Sequence, residues 1–159
     1  MDKASKRRDP IHPIRALMVG AGLVALFWSM PSSGAERTTP TAPPEFLALK
    51  NPVPVTPEAL GDAALLYKKK CKKCHGADGK GRGSATKGMK IKPRDYTDGK
   101  LMSTLVDGQL VWIILNGSDR ETTEMEGFNG KITDAEAWNL VHYIRSFAHN
   151  RNNQEEGVR

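Results

Sequence analysis

The feature that most constrains this chain is five residues long: Cys71-Lys72-Lys73-Cys74-His75, which holds both cysteines of the sequence three positions apart with a histidine directly behind them. The approach to it has helical periodicity. Leu60, Ala64, Tyr67, Cys71 and Cys74 recur at the spacing of one helical face. On a helix, positions i, i+3 and i+4 lie above one another, so two thiols and an imidazole project from one side. This donor set suits one large flat cofactor. Each thiol adds to a haem vinyl group to give a thioether, and the imidazole binds the iron from the proximal side. Two other uses of paired cysteines fit less well. A redox-active dithiol needs its C-x-x-C after a strand in a βαβ setting, and a lysine-rich helix leads in here. A zinc site needs four ligands at recognised spacing, and the other histidines, His12, His142 and His149, supply no second pair.

Three segments carry helical signals. Thr56-Pro57-Glu58 starts the first, with a hydroxyl N-cap, proline at the first helical position and an acid at the positive end of the dipole. The second runs from Asp107 to Gly117. Its β-branched run favours a strand by propensity, while Asp107 as N-cap and Asn116-Gly117 as stop favour a helix, and pattern alone leaves the two equal. The third opens on the capping box Thr133-Asp134-Ala135-Glu136, followed by Ala137, Leu140, Val141, Ile144 and Ala148 at helical spacing. His142 lies off that stripe and is expected in solvent. Between the last two segments the chain is polar and glycine-containing, with Met125 and Phe128 as its large apolar side chains.

The 159 residues allow one ordinary domain with extensions. Five basic residues up to Arg15 precede the apolar run Ala16 to Met30, and Ser32-Ser33-Gly34-Ala35 follow, so residues 1–35 read as an export signal cut after Ala35. Retention as a membrane anchor is the alternative, although fifteen helical residues reach only about 22 Å against a hydrocarbon core of roughly 30 Å. Residues 36–57 hold six of the ten prolines and read as an extended spacer without helix. Residues 58–149 are the folded domain, and 150–159 a loose polar tail. Net charge is +6 but unevenly spread: residues 61–100 carry twelve Lys/Arg against four Asp/Glu, and 101–159 carry five against nine. Nucleic-acid binding lacks its usual companions, since there is no helix-turn-helix pattern and no aromatic ladder. Clustered positive charge fits steering of an acidic protein partner.

From about Leu60 to Ala148 the chain resembles a class I, c-type monohaem cytochrome. The matching residues are Tyr67 four before the first cysteine; the CKKCH motif with Gly76 after it; Lys92-Pro93-Arg94-Asp95-Tyr96; the Leu110–Gly117 helix; and Thr133-x-x-Glu136-x-Trp138-x-Leu140-Val141-x-Tyr143-Ile144-Arg145-Ser146-Phe147. The resemblance implies an all-α fold of three to five helices around one covalently attached haem, with the first and last helices crossing. It resolves 107–117 as helix. It also implies Met125 as the sixth iron ligand in preference to Met89 and Met102, Pro93 as a carbonyl acceptor for the ring N–H of His75, and Tyr96 and Trp112 beside the haem. Two departures stand out. Glu126 follows Met125 where the family often has proline, with Glu121 and Glu124 nearby, so the loop is less restrained and negative charge favours Fe(III). Ala63 stands where the family usually has glycine, which widens the helix crossing slightly.

The expected function is therefore periplasmic electron transfer by a His75/Met125-ligated haem c cycling between Fe(III) and Fe(II), not catalysis on a small-molecule substrate. Lys68, Lys69, Lys72 and Lys73 surround the attachment motif and would orient an acidic redox partner. A membrane-anchored subunit of a respiratory complex is the second expectation. An open-site haem enzyme or sensor is the third, and it requires a distal acid or base that the sequence does not supply.

Overall fold

A computed structural model describes residues 39–118, 123 and 125–156, with side chains described up to residue 150. The export or anchor segment 1–35, together with Glu121 and Glu124, lies outside the described residues. Six α-helices occur among those described: α1 Pro44–Leu47, α2 Pro57–Lys70, α3 Lys72–His75, α4 Gly99–Thr104, α5 Asp107–Asn116 and α6 Asp134–Glu156, with a 3₁₀ turn at Ser84–Thr86. There is no β-strand among them, and two of the six helices are single turns. None is long and apolar enough to cross a membrane.

Helix α2 begins as its sequence requires, with the Thr56 hydroxyl accepting from Ala59 N at 3.1 Å and Pro57 in the first turn. Its inward residues are Ala63 and Tyr67, so the buried stripe passes through Ala63 rather than Ala64. The helix does not run unbroken through the cysteines. Cys71 closes α2 with φ −113°, and α3 restarts for one turn before Gly76 ends it at φ +81°. Helix α5 confirms the helical alternative for 107–117. Leu110, Val111 and Ile114 point inward, and packing against α6 overrides β-propensity. In α6 the capping box forms in both directions: Glu136 Oε2 accepts from Thr133 N at 2.8 Å, and Thr133 Oγ1 accepts from Glu136 N at 3.2 Å.

The core is one cluster. Tyr67, Met102, Leu110, Val111, Ile114, Leu140, Val141 and Ile144 meet there, each such aliphatic side chain contributing about 1.5–3 kcal/mol by leaving water. The most extensive helix packing is α2 against α6, with Ala63 only 2% exposed. The Ala63 methyl group therefore lies inside this crossing.

Two segments differ from expectation. Residues 39–57 are not a free spacer. They form an arm packed on the domain, where Ala42 is buried, Phe46 packs on the core, and Pro40 O accepts from Gln109 Nε2 at 3.0 Å. Further along, Asn51 Nδ2 donates to Trp138 O at 2.9 Å, and Val53 O lies 2.7 Å from His142 Nε2. Proline is favourable at a helix start, and Pro44 opens α1 there. His142 is thereby half-buried against the arm instead of standing in solvent. The expected loose tail is also shorter, because α6 continues through Glu156.

Candidate functional site

The attachment motif is assembled by the break between α2 and α3. Both thiols are free and half-buried, and Cys71 packs on the hydrophobic core. Burial, with the neighbouring Cys74, pushes the Cys71 thiol up to about 11, so it stays protonated at neutral pH. His75 N donates to Cys71 O at 2.9 Å, and His75 is 9% exposed.

The loop after the motif folds back over it. Gly81 N donates to His75 O at 2.8 Å, Gly83 N to Cys74 O at 3.0 Å, and Tyr96 N to Gly79 O at 2.8 Å. Gly81, at φ +69°, packs its Cα on the Pro93 carbonyl, where a Cβ would collide with the oxygen. The half-buried Pro93 thus presents its carbonyl to Gly81. Tyr96 lies against the imidazole: its ring stacks on His75 with centroids 4.7 Å apart at 10°, and its hydroxyl lies 3.4 Å from His75 Nε2. Burial holds the Tyr96 phenol well above its usual range, which keeps it neutral.

Aromatic side chains enclose this corner. Tyr67 donates to Gly76 O at 2.8 Å from a buried position, and burial likewise raises its phenol. Its ring lies 5.2 Å from Tyr143 and 5.4 Å from Phe147, and Phe147 stacks behind Tyr96 at 6.4 Å. Tyr67 stands in sequence on the helical stripe that leads to the cysteines, while Tyr143 and Phe147 stand there only as positions matching the family resemblance. The place of Tyr67 four residues before Cys71, and the i, i+4 spacing of Tyr143 and Phe147 on the last helix, are the signals of a role at the site. The spacing of Gly76, Gly79, Gly81 and Gly83 was the overlooked signal for the enclosing loop.

Met125 is placed by different means. Ser118 N donates to Met125 O at 3.1 Å, Glu126 forms an antiparallel bridge with Gly117, and Phe128 N and Asn129 N donate to Ile114 O and Leu115 O at 3.0 and 2.9 Å. The missing proline after Met125 is therefore replaced by backbone pairing with the end of α5. Glu126 is exposed and ion-paired with Lys131 at 3.4 Å, which moderates the negative charge expected near this loop. Of the rival methionines, Met102 is buried in the core on α4, and Met89 is half-buried after the 3₁₀ turn.

Trp112 lies on α5. It is half-buried, one position off the Leu110–Val111–Ile114 stripe, and among the described residues the core cluster forms without it. Lys68, Lys69, Lys72 and Lys73 are all exposed, and among the described residues none of them forms an ion pair.

The donor set fits a covalently attached haem. Two reduced thiols stand on successive turns, with a buried imidazole one residue beyond and an apolar, aromatic wall beside them. It does not fit a bare metal ion: among the described residues, no three His, Cys, Asp or Glu side chains converge on one point.

Comparison with known proteins agrees with this chemistry. Residues 58–144 match the family described as cytochrome c oxidase, cbb3-type, subunit III. No curated protein matches. Among solved structures, the chain is similar to the KustC0563 c-type cytochrome, with 30% identity over 54% of this chain and 95% of that one, at a TM-score of 0.45. It is also similar to a chain of the Kuenenia stuttgartiensis reducing HAO-like protein complex Kustc0457/Kustc0458, with 27% identity over 62% of this chain and 49% of that one, at a TM-score of 0.49. The chain spans about half the length of that second protein. With more than half of its residues in the family match and the Cys71, Cys74, His75 motif inside it, the chain belongs to the cbb3-type cytochrome c oxidase subunit III family of c-type cytochrome domains, which carry covalently bound haem c.

Proposed function

We propose that this chain is an exported, periplasmic electron carrier whose single haem is joined to Cys71 and Cys74 and ligated by His75 and Met125. The observation that carries the reading is the pair of free, half-buried thiols on the α2–α3 break with the buried His75 imidazole directly behind them. When bound, the haem supplies an iron that exchanges one electron between Fe(III) and Fe(II). Cys71 and Cys74 would hold the haem, each thiol adding its S–H across a vinyl group from one short helical segment. His75 offers a nitrogen from a buried position, and Met125 offers a soft thioether that favours Fe(II). The aromatic wall of Tyr67, Tyr96, Tyr143 and Phe147 excludes water from the proximal side. Lys68, Lys69, Lys72 and Lys73 give the attachment face a positive field that orients an acidic partner.

The decisive experiment is an optical spectrum of the mature protein, oxidised and reduced, with and without carbon monoxide. A low-spin spectrum with the far-red iron–sulfur band, unchanged by carbon monoxide, supports the carrier with Met125 or a rival methionine closing the site. High-spin iron that binds carbon monoxide overturns it and points to an open site.

A second reading is a membrane-anchored subunit of a respiratory assembly. It is favoured by the oxidase-subunit description of the matched family. Recovery of residues 1–35 in the mature protein would support it, and an N-terminus at Glu36 would support the soluble carrier.

A further inference from the structure

We propose that Tyr96 is the positioning residue that fixes the plane of the His75 imidazole, and with it the orientation in which Nε2 is offered to the iron. This rests on the ligation by His75 argued above.

The terminal torsion of a histidine is broad, so the backbone of α3 alone does not determine how the ring is turned. A neighbouring group must do so. Tyr96 meets the ring in two independent ways: a parallel face at 4.7 Å and 10°, and a hydroxyl 3.4 Å from Nε2. The stacked face opposes rotation of the imidazole about its terminal torsion, because turning the ring would break the parallel contact.

Tyr96 is itself held on three sides. Its N–H donates to Gly79 O at 2.8 Å, which ties it to the loop that closes over the motif. The next residue is locked in a tight turn, where Thr97 N and Oγ1 donate to Asp95 Oδ1 at 2.8 and 2.6 Å. Phe147 of α6 stacks behind the phenol at 6.4 Å and 21°. The row His75–Tyr96–Phe147 thus carries the orientation of the last helix through to the imidazole. Tyr96 comes from a stretch without regular structure, and its precision derives from these contacts.

The test uses the haem-loaded protein and three variants, Tyr96→Phe, Tyr96→Leu and Phe147→Leu. The readouts are the g-values of the oxidised iron and the spread of its shifted haem-methyl resonances, both of which follow the plane of an axial imidazole. Tyr96→Phe keeps the stacking face and is expected to keep the wild-type pattern. Tyr96→Leu removes the face and is expected to redistribute the methyl shifts and move the g-values, with Phe147→Leu producing a smaller change. Wild-type values in a folded Tyr96→Leu protein would overturn the proposal. If that variant yields no folded protein, wild-type values in Phe147→Leu overturn it instead. A wild-type spectrum without a low-spin, nitrogen-ligated iron overturns the ligation by His75 before any variant is made, so the two failures are distinguishable.

Discussion

Arg145 Nε donates to Asp107 Oδ1 at 2.5 Å, and the same guanidinium donates to Met102 O at 3.0 Å and Leu105 O at 2.6 Å. One side chain of α6 thereby satisfies carbonyls at the end of α4 and fastens the first residue of α5. Helix ends leave such carbonyls without partners inside the helix, and a cation there also complements the dipole. The planar fork matters, because a lysine presents one point of charge and cannot reach three acceptors in these directions.

Arg145→Met is therefore expected to lower the unfolding free energy of the haem-loaded protein by roughly 1.5–3 kcal/mol, the range for hydrogen bonds to a charged group. Arg145→Lys should recover only part of this. Denaturant titration checks both, and a Lys variant equal to wild type would show that charge alone suffices.

The loop of Met125 depends on Gly117. At φ +79° and ψ −156° this residue occupies backbone space that other residues avoid, and a Cβ would lie 2.6 Å from both Met125 O and Gly127 N. Gly117→Ala should displace the loop and weaken the methionine bond. The expected result is loss of the far-red iron–sulfur band and a lower midpoint potential, with the α-helical circular dichroism retained.

The arm supplies a third expectation. A Cβ on Gly108 would drive into Phe46 O and crowd Leu49 Cβ at 3.2 Å. Gly108→Ala cannot be absorbed by a side-chain rotation, since the obstacle is backbone. It should lift the arm and cost about 1–3 kcal/mol, as overpacking does elsewhere. Limited proteolysis should then cut between residues 39 and 55 faster than in the wild type.

The capping box gives a pH dependence with a definite sign. Hydrogen bonds from the Thr133 N–H and hydroxyl hold the Glu136 carboxyl below its usual range. A depressed folded-state value means the stabilisation is complete above the unfolded pKa of about 4.3 and is lost as pH falls through the folded value. Glu136→Gln should therefore melt below wild type at pH 7. That difference should close as the pH is lowered beneath about 4, and an equal gap at pH 7 and pH 3 would refute the assignment.

Sequence was most informative where local chemistry and tertiary packing agree. In α6, the residues read from periodicity, Ala137, Leu140, Val141, Ile144 and Ala148, are all buried, and its capping box forms as written. In α2 the cap was legible, but the stripe was not, because the helix breaks at Cys71 and the inward face passes through Ala63. The arm was misjudged from its prolines. Its structure comes from partners far along the chain, Gln109, Trp138 and His142, which no local pattern reveals. The motif itself was fully legible, while the stacking of Tyr96 on His75, across 21 residues, needed the fold.

The exposed lysines permit a final test that separates steering from simple solvation. Lys68, Lys69, Lys72 and Lys73 flank the haem-attachment turns, and their neighbours on α2 and α3 provide no compensating ion pair among the described residues. If they orient an acidic partner, reversing two charges in Lys72→Glu/Lys73→Glu should slow the second-order electron-transfer rate with an acidic redox protein by about tenfold or more at low ionic strength. Because the Debye length shrinks to about 3 Å at 1 M salt, the wild-type and variant rates should converge there. The variant must also show the wild-type midpoint potential and visible spectrum, which isolates docking from any change at the iron. Rates that differ equally at low and high salt would mean that the substitutions act on the haem site, and rates that never differ would leave these lysines with the role of keeping α2 and α3 in water.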